Sequence, residues 1–266
     1  MIKNLNYCIK FFIFVVMFVL IFLFFDYIRR QIITEEPFEN EGSVSILNLV
    51  LYSENDVYDR MYRATREYYK KFTNVKTVYY TFSEDIRGEY EISNDILFIK
   101  GKETFVPGIL DKTIKAFQFF ESELSNYDYI VRSNISTIIN FDLLSKELIK
   151  KPVNYSGGLM MDLQWLDEQG GITDDTWFGT KFASGTAIIL SRDAMLGLLQ
   201  NAKLLRMDII DDVSISIFFN HYYPRYVDVE SIDSKKFLFV ENLDGNYNNI
   251  NIDEIIFYRK IGRAHV

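Results

Sequence analysis

The sequence predicts an α/β fold, in which the strands of a central sheet alternate with helices. Val44–Tyr52 and Tyr127–Val131 are apolar runs of strand length, rich in β-branched and aromatic residues, as buried strands usually are. Between them, Asp56 to about Phe72 and Gly108–Leu124 carry apolar residues at helical spacing. This alternation is typical of a sheet built with right-handed crossover connections.

The other elements are predicted in the same way along the chain. Ser53-Glu54-Asn55-Asp56 is a capping cluster that starts the first helix. Lys150–Thr180 holds two glycine pairs and both tryptophans, so we predict a mostly irregular region over the face that carries the site. Further strands are predicted at Val75–Phe82, Asp95–Ile99, Phe182–Leu190 and in two or three places between Tyr226 and Arg259, and further helices at Phe141–Leu148, Arg192–Leu205 and Val213–Asn220.

The amino-terminal part is predicted to be a membrane anchor followed by a stem. Phe11–Phe25 is a run of fifteen apolar residues, and with its flanks, from Ile9 to Ile28, it reaches about 20 residues, or ~30 Å as a helix, which spans a bilayer. A cleaved signal peptide is the alternative, but no small-residue cleavage site follows. We therefore predict a tail at 1–10, a transmembrane anchor at 11–28 and a polar, acidic stem at 29–43.

One domain is predicted to occupy 44–260. The last six residues, 261–266, resemble a translated sequencing adaptor, so we expect them to be artefactual and the domain to be truncated near Lys260. For that reason His265 is excluded from any site. The net charge is −8 and no basic stripe is present, which excludes nucleic acid as a partner. The single cysteine, Cys8, excludes an intrachain disulfide.

The stretch Tyr127–Leu144 is the first candidate for a functional site. Its apolar strand gives way to the polar residues Arg132, Ser133, Asn134 and Ser136 before a helix begins. In α/β sheets, ligands bind where the carboxyl ends of central strands open into a crevice. The alternative is an ordinary turn between a strand and a helix.

Four short motifs lie in order between about residues 44 and 220. They are Arg60–Thr65 with the pattern R-x-x-R-x-T, a lysine–threonine segment at Ile109–Thr113, a small-residue, glycine and strand segment at Ser184–Ser191, and an acidic-Asp-Val segment at Ile210–Ile215. In sequence, order and spacing they resemble the beta-1,3-galactosyltransferase-like glycosyltransferases, which are type II membrane enzymes with the GT-A fold.

The resemblance implies a GT-A (Rossmann-like) mixed sheet flanked by helices, behind an N-terminal transmembrane helix. It implies inverting transfer of a hexose of the Gal or GlcNAc type from a nucleotide sugar, UDP-linked, to a hydroxyl of a glycan or glycoprotein. The implied location is a single-pass type II membrane protein, in the Golgi or ER of a eukaryote or otherwise in a viral or host membrane. The alternatives are a catalytically inactive relative that binds nucleotide sugars or carbohydrates, and a membrane-tethered adaptor.

The acidic pair Asp211 and Asp212 is the predicted catalytic element. By resemblance Asp212 is the base that takes the proton from the acceptor hydroxyl, with Asp211 beside it. The alternative is structural, because two aspartates in a first helical turn stabilise a helix whatever the chemistry.

The nucleotide sugar is predicted to contact Ser53, at the end of the first strand, and the motif residues Arg63 and Lys112. The alternative for both cations is a solvated helix face. A sugar or acceptor pocket is predicted at Ser184 and Gly185, with Trp177 and Trp165 as aromatic platforms or, alternatively, as core residues. His221 is predicted to be structural.

The family carries an aspartate cluster, which binds a divalent metal, where this chain reads Asn134-Ile135-Ser136. Hard cations prefer carboxylate oxygens, and these side chains are neutral. We therefore predict no metal ligand, although the resemblance implies Mn²⁺. Asn134 and Ser136 remain predicted nucleotide-sugar contacts, and Arg132 is predicted to neutralise phosphate in place of the metal.

Overall fold

The computed structural model describes residues 44–228, 236–240 and 252–260. The predicted anchor at 11–28, the stem at 29–43 and the tail at 261–266 lie outside these residues. Within the described ranges, no helix has the length and apolar character that crossing a bilayer requires.

The described chain is an α/β structure with these elements in order: β1 Ile46–Leu51, α1 Asp56–Tyr69, β2 Val75–Ser83, β3 Tyr90–Ser93, β4 Ile96–Lys100, α2 Gly108–Phe119, β5 Tyr129–Asn134, β6 Thr137–Ile139, α3 Phe141–Lys150, β7 Tyr155–Gly157, β8 Met160–Asp162, β9 Lys181–Ala183, β10 Ala187–Ser191, α4 Arg192–Gln200, α5 Asp211–Tyr222, β11 Phe237–Val240 and β12 Phe257–Lys260. The predicted α/β class is confirmed.

A mixed seven-stranded sheet forms the centre, in the order β3-β4-β2-β1-β5-β10-β7. Strands β4, β2, β1 and β5 run parallel, so their carboxyl ends meet at one edge. Strand β10 runs antiparallel to β5 and therefore brings its amino end to that same edge. A second sheet, in the order β11-β12-β6, lies beyond the end of β5.

Burial explains why β1 is apolar at every position except Asn48, whose side-chain amide is hydrogen-bonded to Thr77 and Ser133. All six residues of Ile46–Leu51 are buried, and side chains on the two sheet faces enter two separate apolar clusters. Strands covered on both faces read as continuous rather than alternating hydrophobic segments. The cap predicted before α1 is also present, since the Asn55 side chain accepts hydrogen bonds from the backbone N–H groups of Val57 and Tyr58.

Three predicted elements differ in the structure. The helix predicted at Arg192–Leu205 ends at Gln200 and is followed by a 3₁₀ segment, Ala202–Leu204. The single strand predicted at Phe182–Leu190 is two strands, because the backbone turns at Ser184–Thr186 and the chain changes sheets. Strand β9 then pairs with β8, whereas β10 pairs with β5 and β7. The helix predicted at Gly108–Leu124 ends at Phe119 and continues as a 3₁₀ segment, Glu121–Asn126.

Four short strands were not predicted: β3, β6, β7 and β8. Strand β3 pairs antiparallel with β4 at the edge of the large sheet, and β6 pairs with β12. Strands β7 and β8 lie within Lys150–Thr180, which we predicted to be mostly irregular, and they pair with β10 and β9. All four have only three or four residues, which is too short for a periodic pattern to show.

Candidate active site

A cleft of about 750 Å³ opens at the edge where the parallel strands end. Its walls come from the segment after β1, the loop between β4 and α2, the end of β5, the turn before β10, the start of α5 and strand β12. The lining residues are Leu51, Tyr52, Ser53, Tyr58, Glu103, Thr104, Phe105, Ile109, Lys112, Arg132, Asn134, Gln169, Ser184, Gly185, Ile210, Asp211, Asp212 and Arg259.

Asp212 presents its carboxylate to this cleft from the first turn of α5. Its Oδ2 accepts a hydrogen bond from the backbone N–H of Gly185 at 2.8 Å, and its Oδ1 accepts one from the N–H of Val213 at 2.8 Å. Burial and, to a smaller extent, the neighbouring Asp211 raise the pKa of Asp212 to about 6. A carboxylate that titrates near neutral pH is suited to accept a proton.

Helix capping does not account for this acidic pair by itself. The N-cap position of α5 is Ile210, and no side chain caps the helix there. Asp211 instead forms an ion pair with Arg132, with Oδ2 and Nη2 2.5 Å apart. Both side chains are almost completely buried, at 2% exposure for Arg132 and 4% for Asp211. The two aspartates therefore have different environments: one is an internal counter-ion and the other faces the cleft.

Arg132 links the acidic pair to the turn that precedes β10. Its Nη1 donates to the carbonyl oxygen of Gly185 at 2.5 Å, while the N–H of the same glycine donates to Asp212. Arg132 thereby fixes the peptide that holds the carboxylate of Asp212. These contacts favour a positioning role for Arg132, and its binding of phosphate stays a prediction.

Gly185 packs closely against both side chains. A Cβ at this position would lie 3.1 Å from Nη1 of Arg132 and 3.2 Å from Oδ2 of Asp212. These contacts are tighter than ordinary van der Waals separations, so a side chain there would require the guanidinium and the carboxylate to shift by a few tenths of an ångström.

Lys112 organises the opposite wall of the cleft. Its side chain is fully buried, and Nζ donates to Glu103 at 2.5 Å and to the carbonyl oxygen of Tyr52 at 3.0 Å, with Ser53 Oγ at 3.4 Å. Burial lowers the pKa of Lys112, and the carboxylate of Glu103 partly opposes this. The lysine thus ties the end of β1 to the loop that follows β4.

The residues at the position where the resemblance implies a metal site do not fit a divalent cation. The Asn134 Oδ1 accepts hydrogen bonds from the backbone N–H and the hydroxyl of Ser136, at 3.2 and 3.3 Å. In the described part of the chain, no group of three or more His, Cys, Asp or Glu side chains is placed to hold a metal. Two neutral side chains bonded to each other offer little to Mn²⁺.

Eight of the predicted site residues line the cleft together: Ser53, Lys112, Arg132, Asn134, Ser184, Gly185, Asp211 and Asp212. Four do not line it. Trp165 is 42% exposed and packs edge-to-face against Phe182. Arg63 is exposed on α1, and Ser136 is buried beneath Asn134. Trp177 packs against a small apolar cluster, with the Arg206 guanidinium 5.4 Å from its ring centre, as a partly buried structural residue would.

Among the cleft residues that the sequence reasoning missed are Glu103, Tyr58 and Arg259. Glu103 follows β4 and is the counter-ion of Lys112. Tyr58 and Arg259 also line the cleft, and Arg259 arrives from β12, far along the chain. The end of β4 is a parallel-strand terminus and could have indicated Glu103. No local pattern marks Arg259, because only the pairing of β12 with β6 brings it to the site.

Comparison with known proteins finds similar solved structures, among them that of a glycosyltransferase. No protein-family model matches the chain, and no curated protein matches it. The chain is similar to a crystal structure of a glycosyltransferase involved in the glycosylation of the major capsid of PBCV-1, with 11% identity, a TM-score of 0.41, and coverage of 81% of this chain and 93% of that chain. A likeness this distant carries no weight for the chemistry of the cleft.

Proposed function

We propose that this protein is an inverting glycosyltransferase with a GT-A fold, which transfers a hexose from a UDP-linked sugar to a hydroxyl of a glycan or glycoprotein. The observation that carries the proposal is the carboxylate of Asp212, which is exposed to the cleft and has a pKa raised to about 6. The four motifs that resemble the beta-1,3-galactosyltransferase-like enzymes add support. In this proposal, residues 11–28 anchor the enzyme in a membrane in type II orientation, which phase partitioning of the full-length chain in detergent would test.

The position and size of the cleft suit a nucleotide sugar. Its volume of about 750 Å³ lies within the usual range for small-molecule sites. It also lies beyond the carboxyl ends of parallel strands, where α/β sheets commonly bind nucleotides. We place the nucleotide near Ser53 and Lys112, at the end of β1, and the sugar near Ser184 and Gly185, beside the carboxylate.

The proposed reaction uses Asp212 as general base. The acceptor hydroxyl oxygen attacks the anomeric carbon and forms the new glycosidic bond. The bond between that carbon and the diphosphate oxygen breaks, and the diphosphate leaves with the bonding electron pair. Asp212 receives the hydroxyl proton. The Gly185 N–H and the Arg132–Asp211 pair hold its carboxylate in place, so the base needs no reorganisation as the reaction proceeds.

A non-catalytic relative that binds nucleotide sugars is the second candidate. The observation in its favour is the neutral pair Asn134 and Ser136, which lacks the carboxylates of a metal-dependent site. Such a protein would bind UDP in the same cleft without turnover, so release of UDP from UDP-sugars separates the two candidates.

The decisive variant is Asp212→Asn, assayed for UDP release with a panel of UDP-hexoses and glycan acceptors. Asparagine keeps the size of the side chain but cannot accept the proton. We expect kcat to fall by roughly 10²–10⁴-fold, with KM little changed. Asp208→Asn is the matched control, because Asp208 is exposed and outside the cleft. It should keep full turnover.

Stability distinguishes a lost base from a damaged fold. Removing the charge of Asp212 relieves its burial cost, but the amide can accept only one of the two hydrogen bonds from Gly185 and Val213. Because these effects oppose each other, the melting temperature should change little. If Asp212→Asn retains more than about a tenth of the wild-type kcat, which is more than loss of a base permits, Asp212 is not the base.

A further inference from the structure

Three cations line the cleft, and two of them are already paired. Lys112 contacts Glu103 at 2.5 Å, and Arg132 contacts Asp211 at 2.5 Å, each with a buried cationic side chain. The third cation is Arg259. Among the residues that the structure describes, no carboxylate lies within ion-pair distance of its guanidinium.

Arg259 lies in an environment that favours an anion. It is partly buried at the cleft wall, and an arginine stays charged in proteins. Burial lowers the pKa of Arg259, and the nearby positive charge of Arg132 lowers it further, although Asp212 acts in the opposite direction. A cation that is partly removed from water and lies near another cation is stabilised by a bound anion.

The strand that carries Arg259, β12, runs beside the segment where the resemblance implies a metal site. Strand β12 pairs antiparallel with β6, and Arg259 lies opposite Thr137. Thr137 directly follows the segment Asn134-Ile135-Ser136, which does not fit a divalent cation. Arg259 therefore enters beside the segment where the resemblance would put the metal, and it lines the same cleft as Asn134.

We propose that Arg259 binds the diphosphate of the nucleotide sugar and supplies the positive charge that a divalent metal would otherwise supply. This inference rests on the proposed function for its ligand. A guanidinium forms paired hydrogen bonds to phosphate oxygens. In the transfer step it would stabilise the negative charge that develops on the leaving diphosphate. Arg132, whose Nη atoms are occupied by Asp211 and Gly185, would keep its positioning role.

The test compares UDP with uridine, which lacks phosphate, as ligands of the full-length protein. Binding is measured by calorimetry in EDTA and again with Mn²⁺, for wild type, Arg259→Gln, Arg259→Lys and Arg87→Gln. Arg87 is the matched control, because it is exposed and does not line the cleft. Circular dichroism of each variant shows whether it has folded.

In EDTA we expect wild type to bind UDP more tightly than uridine. Arg259→Gln should weaken UDP binding by roughly 10- to 100-fold, the effect of losing hydrogen bonds from a charged donor, and should leave uridine binding unchanged. The UDP affinity of Arg259→Lys should lie between those of wild type and Arg259→Gln, because lysine keeps the positive charge but cannot form paired hydrogen bonds to phosphate. Adding Mn²⁺ should change the wild-type affinity for UDP by less than about threefold.

Two results would overturn the inference: UDP binding by Arg259→Gln that equals wild type, or wild-type binding of UDP that requires Mn²⁺. A different result is expected if the protein binds UDP at Arg259 but is not a glycosyltransferase. In that case, UDP binding would still depend on Arg259, but no sugar would be transferred from any UDP-hexose.

Discussion

The ion pair between Arg132 and Asp211 leads to a prediction about stability. Asp211→Asn would remove one charge of a pair whose side chains are 2% and 4% exposed and whose atoms are 2.5 Å apart. Breaking a buried ion pair from one side typically costs about 3–5 kcal/mol, because it leaves an uncompensated buried charge. We expect the free energy of unfolding to fall by that amount.

The expected change is large enough to measure by two methods. For a domain of this size, each kcal/mol shifts the melting temperature by about 2–4 °C, so the variant should melt roughly 6–20 °C lower. Urea unfolding gives the free energy directly, provided that the slope of the transition stays the same.

The matched control is Asp208→Asn, which breaks the other aspartate–arginine pair of this region. Arg206 contacts Asp208 at 2.6 and 2.8 Å, but the side chains are 44% and 64% exposed. Exposed pairs contribute about 0–1 kcal/mol, so this variant should melt close to wild type. A double variant, Arg132→Met with Asp211→Asn, removes both charges and should recover part of the loss.

The reasoning fails if Asp211→Asn and Asp208→Asn unfold within about 1 kcal/mol of each other, the upper value for an exposed pair. That result would mean that Arg132 is solvated or neutralised by another group. Asp211 would then have to be reconsidered as a catalytic residue, since a counter-ion role would no longer explain it.

The other predictions concern the carboxylate of Asp212 and its neighbour Gly185. A base must be unprotonated, so turnover should rise with pH, reach half its maximum near pH 6 and stay level at higher pH. Turnover would be measured from pH 4.5 to 8.5. A rate that does not change over this range would contradict the assignment of Asp212 as the base. Because this pKa is raised by folding, the contribution of Asp212 to stability is greatest below its ordinary pKa and is lost as pH rises through about 6. Gly185→Ala should lower turnover by roughly 10–100-fold through displacement of the carboxylate. Gly197→Ala meets only ordinary contacts, with Tyr223 3.5 Å away, and should be nearly neutral; equal activity of the two variants would refute the packing argument.

Much of the fold could be predicted because the central strands have local signals. Strand β1 is buried on both faces, so it appears in the sequence as an apolar run that only Asn48 interrupts. The start of α1 was visible in the capping cluster around Asn55, and the first turn of α5 in the acidic pair. Such signals depend only on neighbours in the sequence, and a single sequence contains them.

The direction of β10 and the break before it had no such signal. Phe182–Leu190 has the composition of one strand, and only the pairing partners divide it at Ser184–Thr186. Whether a strand runs parallel or antiparallel depends on the neighbour that is available at the sheet edge. The pattern of its side chains does not indicate this direction.

Part of the candidate site could also be predicted from local sequence signals. The motif residues Lys112, Gly185 and Asp212 could be placed at strand or helix ends, and they do line one cleft. The difference between Asp211 and Asp212 could not be predicted, because it depends on which carboxylate faces the buried Arg132. Arg63 belongs to the same motif set but is exposed on α1, since helix rotation decides which side chains reach the sheet edge.

The pairing of β12 with β6 has a consequence for the order of folding. Thr137 and Arg259 are partners in the ladder but lie about 120 residues apart in sequence, so this contact closes one of the long loops of the fold. During synthesis, the strands of the large sheet, β7 included, are all made before residue 257. We therefore expect the large sheet to form before this wall of the cleft, and a nascent chain to gain its full affinity for a diphosphate only after β12 has docked. Ligand would then stabilise the last part of the molecule to fold, and protection of residues 257–260 from hydrogen exchange should increase more than that of β1 when UDP binds.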